Sequence, residues 1–190
     1  MNWNLAYIGV GSNLGDKVKT CIRAIQEIHS HSQCRLLKIS SFYETEPLVK
    51  KAETSKPWYV NAVIKIKTEL NAVKLLQFLL TLEKQLGRVP SREPWESRTI
   101  DLDLLFFNHE IVENALIKLP HPEVQNRRFV LEPLCEIEPE LQHPILHKSI
   151  QELFKSLLDS KKVIPLFHIS LSQIYSANSS TEAPRKDEAL

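Results

Sequence analysis

Neither charge dominates this chain. Its 24 Lys and Arg residues stand against 23 Asp and Glu, a formal net charge of +1. That balance argues against a dedicated duplex nucleic-acid binder, whose affinity rests on neutralising phosphates, and leaves room only for a local basic patch. Cysteine is scarce: Cys21, Cys34 and Cys135 are odd in number and lack metal-ligand spacing. Reduced, buried thiols in a cytoplasmic protein are therefore expected. No apolar segment approaches the ~18–20 residues of a membrane span. Met1-Asn2-Trp3-Asn4 lacks the basic stretch leading into an apolar run that marks a secretory leader. The Gly9-Val10-Gly11-Ser12-Asn13 run has neither the Lys-Ser/Thr of a P-loop nor the third Gly of a dinucleotide fingerprint. Read alone, it is a tight strand-to-helix turn. No internal repeat is present.

What remains is an ordinary globular composition, 25% charged and 43% hydrophobic over 190 residues, enough for one domain with a full core. Residues 1–175 are expected to form that domain. From Ser176 the composition turns to Ser, Thr, Glu, Pro, Lys and Asp, so 176–190 reads as a disordered tail. Leu5 to Val10 reads as a buried first strand. Val18, Cys21, Ile22, Ile25 and Ile28 then repeat at helical spacing. A second strand is expected from Arg35 to Tyr43, closed by Thr45-Glu46-Pro47-Leu48. Tyr59 to Lys67 is a third, with Val60, Ala62, Ile64 and Ile66 on one face and Tyr59, Asn61 and Val63 on the other. Asn71 can cap a second helix striped by Leu75, Leu79, Leu82 and Leu86 and closed by Gly87. A fourth strand starts at Asp101. The order is β-α-β-β-α-β: an α+β chain with a ferredoxin-like core. A C-terminal αβ/helical extension follows, in which Ser149 and Glu152 can form a capping box before the Ile150, Leu153, Phe154, Leu157, Leu158 stripe.

The chemistry concentrates at Asp101-Leu102-Asp103. Two apart on a strand, both carboxylates project to one face, with Ile100, Leu102 and Leu104 opposite. Farther along, the Asp face is expected to become Leu105 and Phe107. Two like charges so close repel, and a divalent cation offsets this well; magnesium is commonly held by one or two carboxylates plus substrate phosphates. The connection Gly87 to Arg98 leads straight into this pair. It holds Arg88, Arg92, Arg98 and Trp95, and arginine suits bidentate phosphate contacts. Between Pro120 and Pro122, His121 is rigidly presented, with Pro122 suited to the first position of a short helix.

Taken together, several motifs resemble the 6-hydroxymethyl-7,8-dihydropterin pyrophosphokinase family. They are Gly11-Ser12-Asn13-Leu14-Gly15, Ser41-Phe42-Tyr43-Glu44-Thr45-Glu46-Pro47, Tyr59-Val60-Asn61-Ala62, Leu86-Gly87-Arg88, Arg98-Thr99-Ile100-Asp101-Leu102-Asp103 and Pro120-His121-Pro122 through Arg127 and Phe129. They span Leu5 to Glu140 in the family's order. The resemblance implies transfer of pyrophosphate from ATP, as co-substrate, to the hydroxymethyl group of a reduced pterin. It implies two Mg²⁺ ions on Asp101 and Asp103, and a pterin site of Thr45, Pro47, Leu48, Tyr59, Asn61 and Phe129. ATP contacts carry over to Glu83, Arg92, Trp95, Arg98, His121 and Arg127, with Arg88 and Arg98 engaging the transferring group. It also implies small-molecule substrates, no nucleic acid or membrane partner, and a monomer.

The chain departs from the family pattern at Leu80, where a Gln is common, at Pro90 and at Glu96-Ser97. These departures touch triphosphate contacts and leave the reaction intact. The rival readings are another metal-dependent transferase, in which Asn61 and Phe129 would be idle, and a non-catalytic ferredoxin-like ligand- or RNA-binding module. The aromatic signature of RNA-binding versions is absent.

Overall fold

A computed structural model describes residues 3–47, 56–89 and 97–176. In chain order its elements are β1 (Asn4–Ser12), α1 (Lys17–Ser30), β2 (Cys34–Ile39), β3 (Phe42–Thr45), β4 (Tyr59–Thr68), α2 (Ala72–Gln85), β5 (Asp101–Phe107), β6 (Val112–Glu113), β7 (Lys118–Leu119), a 3-10 turn (Val124–Asn126), α3 (Arg128–Ile137), α4 (Ile150–Ser156), β8 (Val163–Phe167) and α5 (Leu171–Ser176). The main sheet runs β5-β1-β4-β3-β8, with β2 also pairing β4. Its neighbouring strands are all antiparallel. The fold is thus mixed α and β, an antiparallel sheet with helices on both faces. Among the described residues, no helix is long and apolar enough to cross a membrane.

Local chemistry sets the helix ends. Asp16 Oδ1 accepts from the Lys19 N–H at 3.1 Å and starts α1. Asn71 Oδ1 does the same for α2 through the Lys74 N–H at 2.9 Å. Gly87, at φ 90°, closes α2, a conformation that favours glycine. Ser149 and Glu152 form both halves of a capping box on α4.

Each face of the sheet has its own core. On one, Cys21, Ile25 and Ile28 of α1 and Leu75, Leu79 and Leu82 of α2 pack on Ile8, Val10, Ile64, Ile66, Leu102 and Leu104. On the other, Val130, Leu131 and Leu134 of α3 and Ile150 and Leu153 of α4 cover Tyr7, Val63, Leu105 and Phe106.

Four features differ from the expectation or escaped it. The strand expected over 35–43 is two. Ser40 leaves the β2 line, its N–H donating to Val63 O and its Oγ accepting from Val63 N, both at 2.9 Å. Ser41 then donates its N–H and hydroxyl to Glu136 on α3. Next, Phe107 does not share a face with the aspartates. Register shifts so that Tyr7 pairs Phe106 while Ile8 pairs Leu104, which leaves Leu105 as a bulged residue. The extra residue reverses the alternation beyond it, so Leu105 stays on the Asp face and Phe107 joins the α1/α2 core. Third, α3 was not foreseen. Pro133 sits inside it and removes one backbone donor, yet burial of Val130, Leu131, Leu134 and Ile137 holds the helix together. Pro122 precedes the 3-10 turn at Val124–Asn126 and starts no α-helix.

The fourth feature is the C-terminal stretch. β8 pairs with β3, Phe167 stacks on Phe42 with ring centroids 5.1 Å apart, and Ile174 of α5 is 1% exposed inside the α1/α2 core. Residues 177–190, within the expected tail, lie outside the described residues. The docking of α5 predicts that Ile174→Ala lowers the unfolding free energy by about 3 kcal/mol, the cost of emptying a buried aliphatic site, measured by urea titration. A loss under about 0.5 kcal/mol would show that α5 does not bear on the core.

Candidate active site

The α3 face of the sheet changes character along its strands. At one end it is apolar, with Tyr7, Val63 and Leu105. At the other it carries Asn61, Asp101 and Asp103. Between the Asn61 strand and the Asp strand runs β1, and there it has glycines: Gly11 pairs with both Asn61 and Asp101, Gly9 with both Val63 and Asp103. Without side chains at these two positions the face has a trough. A cavity of about 270 Å³ occupies it. Thr45, Pro47, Tyr59, Asn61, Arg98, Asp101, Asp103, Arg127 and Phe129, nine of the residues singled out from the sequence, line this cavity together. Glu83, Arg88 and His121 stand outside its lining. Leu48, Arg92 and Trp95 lie outside the described residues.

At one end of the trough, Asn61 Nδ2 donates to Thr45 Oγ1 at 2.6 Å. Both residues are buried. The amide oxygen of Asn61 then lies over Gly11, where an added Cβ would stand 2.5 Å from it. Thr45 accepts from Asn61, so among the described residues its own hydroxyl proton remains to be donated. The pair thus offers an acceptor and a donor side by side. Tyr59 is half-buried and its hydroxyl is held above the usual range, first by desolvation and then by Asp101. Across the trough, the Arg127 guanidinium lies 5.8 Å from the centre of the Phe129 ring.

The other end is charged. Asp101 Oδ1 meets Arg88 Nη1 at 2.8 Å and Arg98 Nη1 at 2.9 Å. Behind it, Arg88 also pairs with the buried Glu83, whose Oε1 accepts from the Leu102 N–H at 2.7 Å. Desolvation pushes the Glu83 carboxyl up to about 7, with the Leu102 N–H and the Arg88 charge opposing. No local pattern marks this anchoring of α2 to β5. The Asp103 carboxylate has no hydrogen bond or ion pair among the described residues. Burial raises its pKa first and Asp101 second, while His121, Arg127 and Arg98 act the other way. His121 is lowered chiefly by burial, offset by Asp103. Its Nδ1 accepts from the Glu123 N–H at 3.2 Å, which leaves Nε2 as the edge without a hydrogen bond among the described residues.

Asn13, read from the sequence as part of a turn, is a clamp. Its Oδ1 accepts from the Arg98 N–H at 2.6 Å, its Nδ2 donates to Ser97 Oγ at 3.1 Å, and its own N–H donates to Arg98 O at 3.1 Å. It fixes the chain where Arg98 turns back onto Asp101. Gly9, Gly11, Glu46 and Lys56 also line the cavity, and the sequence reading assigned none of them a role in the site. The glycines had a signal: two within a strand at period two mark a close approach on one face.

Among the described residues no group of three or more His, Cys, Asp or Glu side chains gathers to hold a metal ion. Two carboxylates on one strand face, one of them without a cationic hydrogen-bonding partner among the described residues, suit a hard divalent cation that takes its other oxygens from substrate and water.

Two predictions follow from this geometry. Arg88→Ala leaves the Glu83 carboxyl buried without its counter-charge, which costs about 3 kcal/mol of stability. The folded pKa of Glu83 is above its unfolded value, so its contribution is present at low pH and lost as pH rises through the folded pKa. Arg88→Ala raises that pKa further, so its deficit in melting temperature should grow from pH 6 to pH 8; a constant deficit refutes the pairing. Gly9→Ala meets nothing closer than 3.6 Å and should keep the parent's melting temperature, yet its methyl fills the trough and weakens ligand binding. Unchanged binding in calorimetry would mean the trough is not where ligands sit.

The family model described as 7,8-dihydro-6-hydroxymethylpterin-pyrophosphokinase matches residues 7–139. A Haemophilus influenzae 2-amino-4-hydroxy-6-hydroxymethyldihydropteridine pyrophosphokinase is 42% identical over 158 residues, covering 83% of this chain and 96% of that protein. The Bacillus subtilis protein of the same name is 41% identical over 135 residues, 70% of this chain and 78% of its own. A Pneumocystis carinii folic acid synthesis protein is 37% identical over 175 residues; the match covers 91% of this chain and 23% of that longer protein. In fold, the chain is similar to wild-type Plasmodium falciparum HPPK-DHPS with pteroate, at TM-score 0.64 and 15% identity, covering 81% of this chain and 42% of that one. With a family match across most of its length and a relative of its own size at this identity, the chain belongs to the 7,8-dihydro-6-hydroxymethylpterin-pyrophosphokinase family.

Proposed function

We propose that this chain transfers pyrophosphate from ATP to the hydroxymethyl group of 6-hydroxymethyl-7,8-dihydropterin, giving AMP and the pterin pyrophosphate, a step of folate biosynthesis. One observation carries the reading beyond family membership. A single cavity has the Thr45–Asn61 donor–acceptor pair at one end and the Asp101, Asp103 and Arg98 cluster at the other. A flat heterocycle with a donor–acceptor edge and a charged transferring group needs both ends. The βαββαβ core is taken as ferredoxin-like, β2 and β3 together filling one strand position; the sheet order supports this. Residues 1–175 are taken as one pyrophosphokinase domain and 176–190 as its tail. A non-catalytic module would have no use for an acidic pair facing two arginines.

In this reading, Thr45 and Asn61 read the pterin edge, while Pro47, Leu48, Tyr59 and Phe129 enclose the ring. Stacking on an aromatic ring contributes roughly 0.5–1.5 kcal/mol beyond area burial. Asp101 and Asp103 hold two Mg²⁺ ions, and the residues fit that role: two oxygen donors on one face, short of positive charge at Asp103. Bound there, Mg²⁺ would neutralise triphosphate charge and make the pterin hydroxyl a better nucleophile. Arg88 and Arg98 stand on Asp101, so phosphate oxygens and Asp101 compete for the same guanidinium groups. Arg98, fixed through its backbone by Asn13, is aimed to hold the phosphoryl group being transferred. Such transfer depends mainly on positioning and charge stabilisation. Arg92, Trp95, His121 and Arg127 belong to the nucleotide side, and Glu83 acts there by keeping Arg88 in place. Both substrates are small molecules; the reaction requires no nucleic acid, membrane or second copy.

The decisive assay supplies Mg²⁺, ATP and the reduced hydroxymethylpterin and follows AMP and pterin pyrophosphate; no product would overturn the reading. Asp101→Asn and Asp103→Asn should each stay folded and lose most turnover, with the remainder demanding far more Mg²⁺. Parent-like turnover at limiting Mg²⁺ would remove the metal role. Asn61→Ala and Phe129→Ala should weaken pterin binding roughly tenfold or less each, by loss of a hydrogen bond or a stack, with ATP binding little changed. Equal losses for both ligands in calorimetry would contradict the division of the cavity.

A further inference from the structure

Two walls of the trough come from parts of the chain far apart in sequence. Thr45, Glu46 and Pro47 form one, at the end of β3; Arg127, Phe129 and Val130 form the other, at the start of α3. Neither wall is anchored by its own element alone. α3 begins without a side-chain cap from its N-cap residue, Arg127. The segment between α4 and β8, residues 157–162, connects the two. Asp159 Oδ2 accepts from the Arg128 N–H at 3.0 Å, filling the missing cap of α3. Asp159 Oδ1 accepts from the Lys161 N–H at 2.9 Å, which turns the chain toward β3. Lys161 Nζ then reaches Glu46 Oε1 at 3.0 Å, and the Lys162 N–H donates to Glu46 Oε2 at 3.2 Å. Glu46 N–H donates to Lys162 O at 2.9 Å, and the β3–β8 pairing continues from Thr45 opposite Val163.

Beyond Leu157, which packs against the α3/α4 core, apolar burial does not hold this segment. Leu158 is 97% exposed, and the segment has no regular secondary structure. Its path is set by the polar contacts at its two ends, which are the two walls. We infer that Asp159 and Lys161 are positioning residues for the pterin end of the cavity: a strap that fixes the spacing between the Thr45–Pro47 wall and the Phe129 wall. The inference rests on the pterin reading of this cavity. The strap touches neither Asp101, Asp103, Arg88 nor Arg98; Lys161 acts on Glu46, between the pterin residues Thr45 and Pro47, while Asp159 acts at the start of α3, which carries Phe129 and also Arg127 of the nucleotide side.

The test measures KM for each substrate and kcat in the full chain, with melting temperature alongside. Lys161→Ala and Asp159→Ala should each raise the pterin KM several-fold, about fivefold for loss of a charge-assisted hydrogen bond at a partly exposed site. In Lys161→Ala, whose contact is with the Thr45–Pro47 wall alone, ATP KM and kcat should stay within about twofold. Lys161→Arg, which keeps the charge and reach, should restore the pterin KM. The double variant should fall short of the product of the single effects, because both residues act through one strap. Should Asp159→Ala unfold, Lys161→Ala with its Arg rescue still decides, since that side chain lies at the surface. A pterin KM that stays at the parent value in Lys161→Ala overturns the proposal, as does an equal rise in both KM values without rescue by Arg. Failure of the reaction reading is a separate outcome: it shows in the parent chain, as no pterin pyrophosphate formed at all.

Discussion

Asp101 stands between two guanidinium groups, and one of these, Arg88, also neutralises a carboxylate that water does not reach. Glu83, Arg88, Asp101 and Arg98 form a quartet with two charges of each sign. Breaking any pair inside it would leave a partly desolvated charge alone. The quartet ties the end of α2, the approach to β5 and the first residue of β5 into one unit. Asp103 lies outside the quartet and leaves the mouth of the strand one positive charge short. In the proposed function, a triphosphate arriving there would meet no surplus of positive charge among these five groups. Its charge would have to be met by cations brought with it, or by arginines released from Asp101. The charge count thus suits the acidic pair to the role proposed for it: the carboxylates that make the site costly in isolation are the ones a divalent cation would offset.

The second constraint is the pitch of one sheet face. A strand face normally presents a side chain at every second residue. On β1 that row is missing at Gly9 and Gly11, and the space goes to the trough between Asn61 and the aspartates. Farther along the same face, the bulge at Leu105 keeps apolar side chains directed at α3 and returns Phe107 to the other core. One strand therefore serves a polar site at its start and two hydrophobic cores at its end. Its single irregular residue makes the change of phase possible. Gly11 is the tighter of the two glycines, because the Asn61 amide occupies the space a methyl would need.

Much of this was legible in the sequence because local rules governed it. The Asn71 and Ser149 caps, the closing Gly87 and the helical stripes depend on neighbours within four residues. The alternation over Tyr59 to Thr68 placed Asn61 opposite the core stripe by counting alone. The misses have the opposite character. α3 contains a proline, and the burial that overrides it comes from Tyr7, Val63 and Phe106, far away in sequence. The division into β2 and β3 depends on Ser40 exchanging bonds with Val63, and on Glu136 receiving Ser41. The Leu105 bulge depends on register with β1. In each case the deciding partner lies at least 23 residues away, where periodicity has no reach. The candidate site residues divide the same way. Carboxylates and arginines announce themselves by type, but Gly9, Gly11 and Asn13 act through space they leave empty or backbone they hold.

The position of β8 follows from the same long-range logic. β3 has four residues and carries Thr45 at its end, so left at the sheet margin it would expose unpaired backbone beside the trough. β8 takes that margin instead. Its outer side shows Ile164, Leu166 and Phe167, each more than a third exposed, an arrangement that invites pairing with another strand. Pro165 sits in the middle and removes a backbone donor from the edge, and Lys161 and Lys162 place charge at its entrance. Moving the edge outward by one strand keeps the irregular, proline-blunted margin away from the site. The strand that carries Thr45 is then paired on both sides, by β4 and by β8; both ladders end at Thr45, and beyond it Glu46 is held by Lys161 and Lys162.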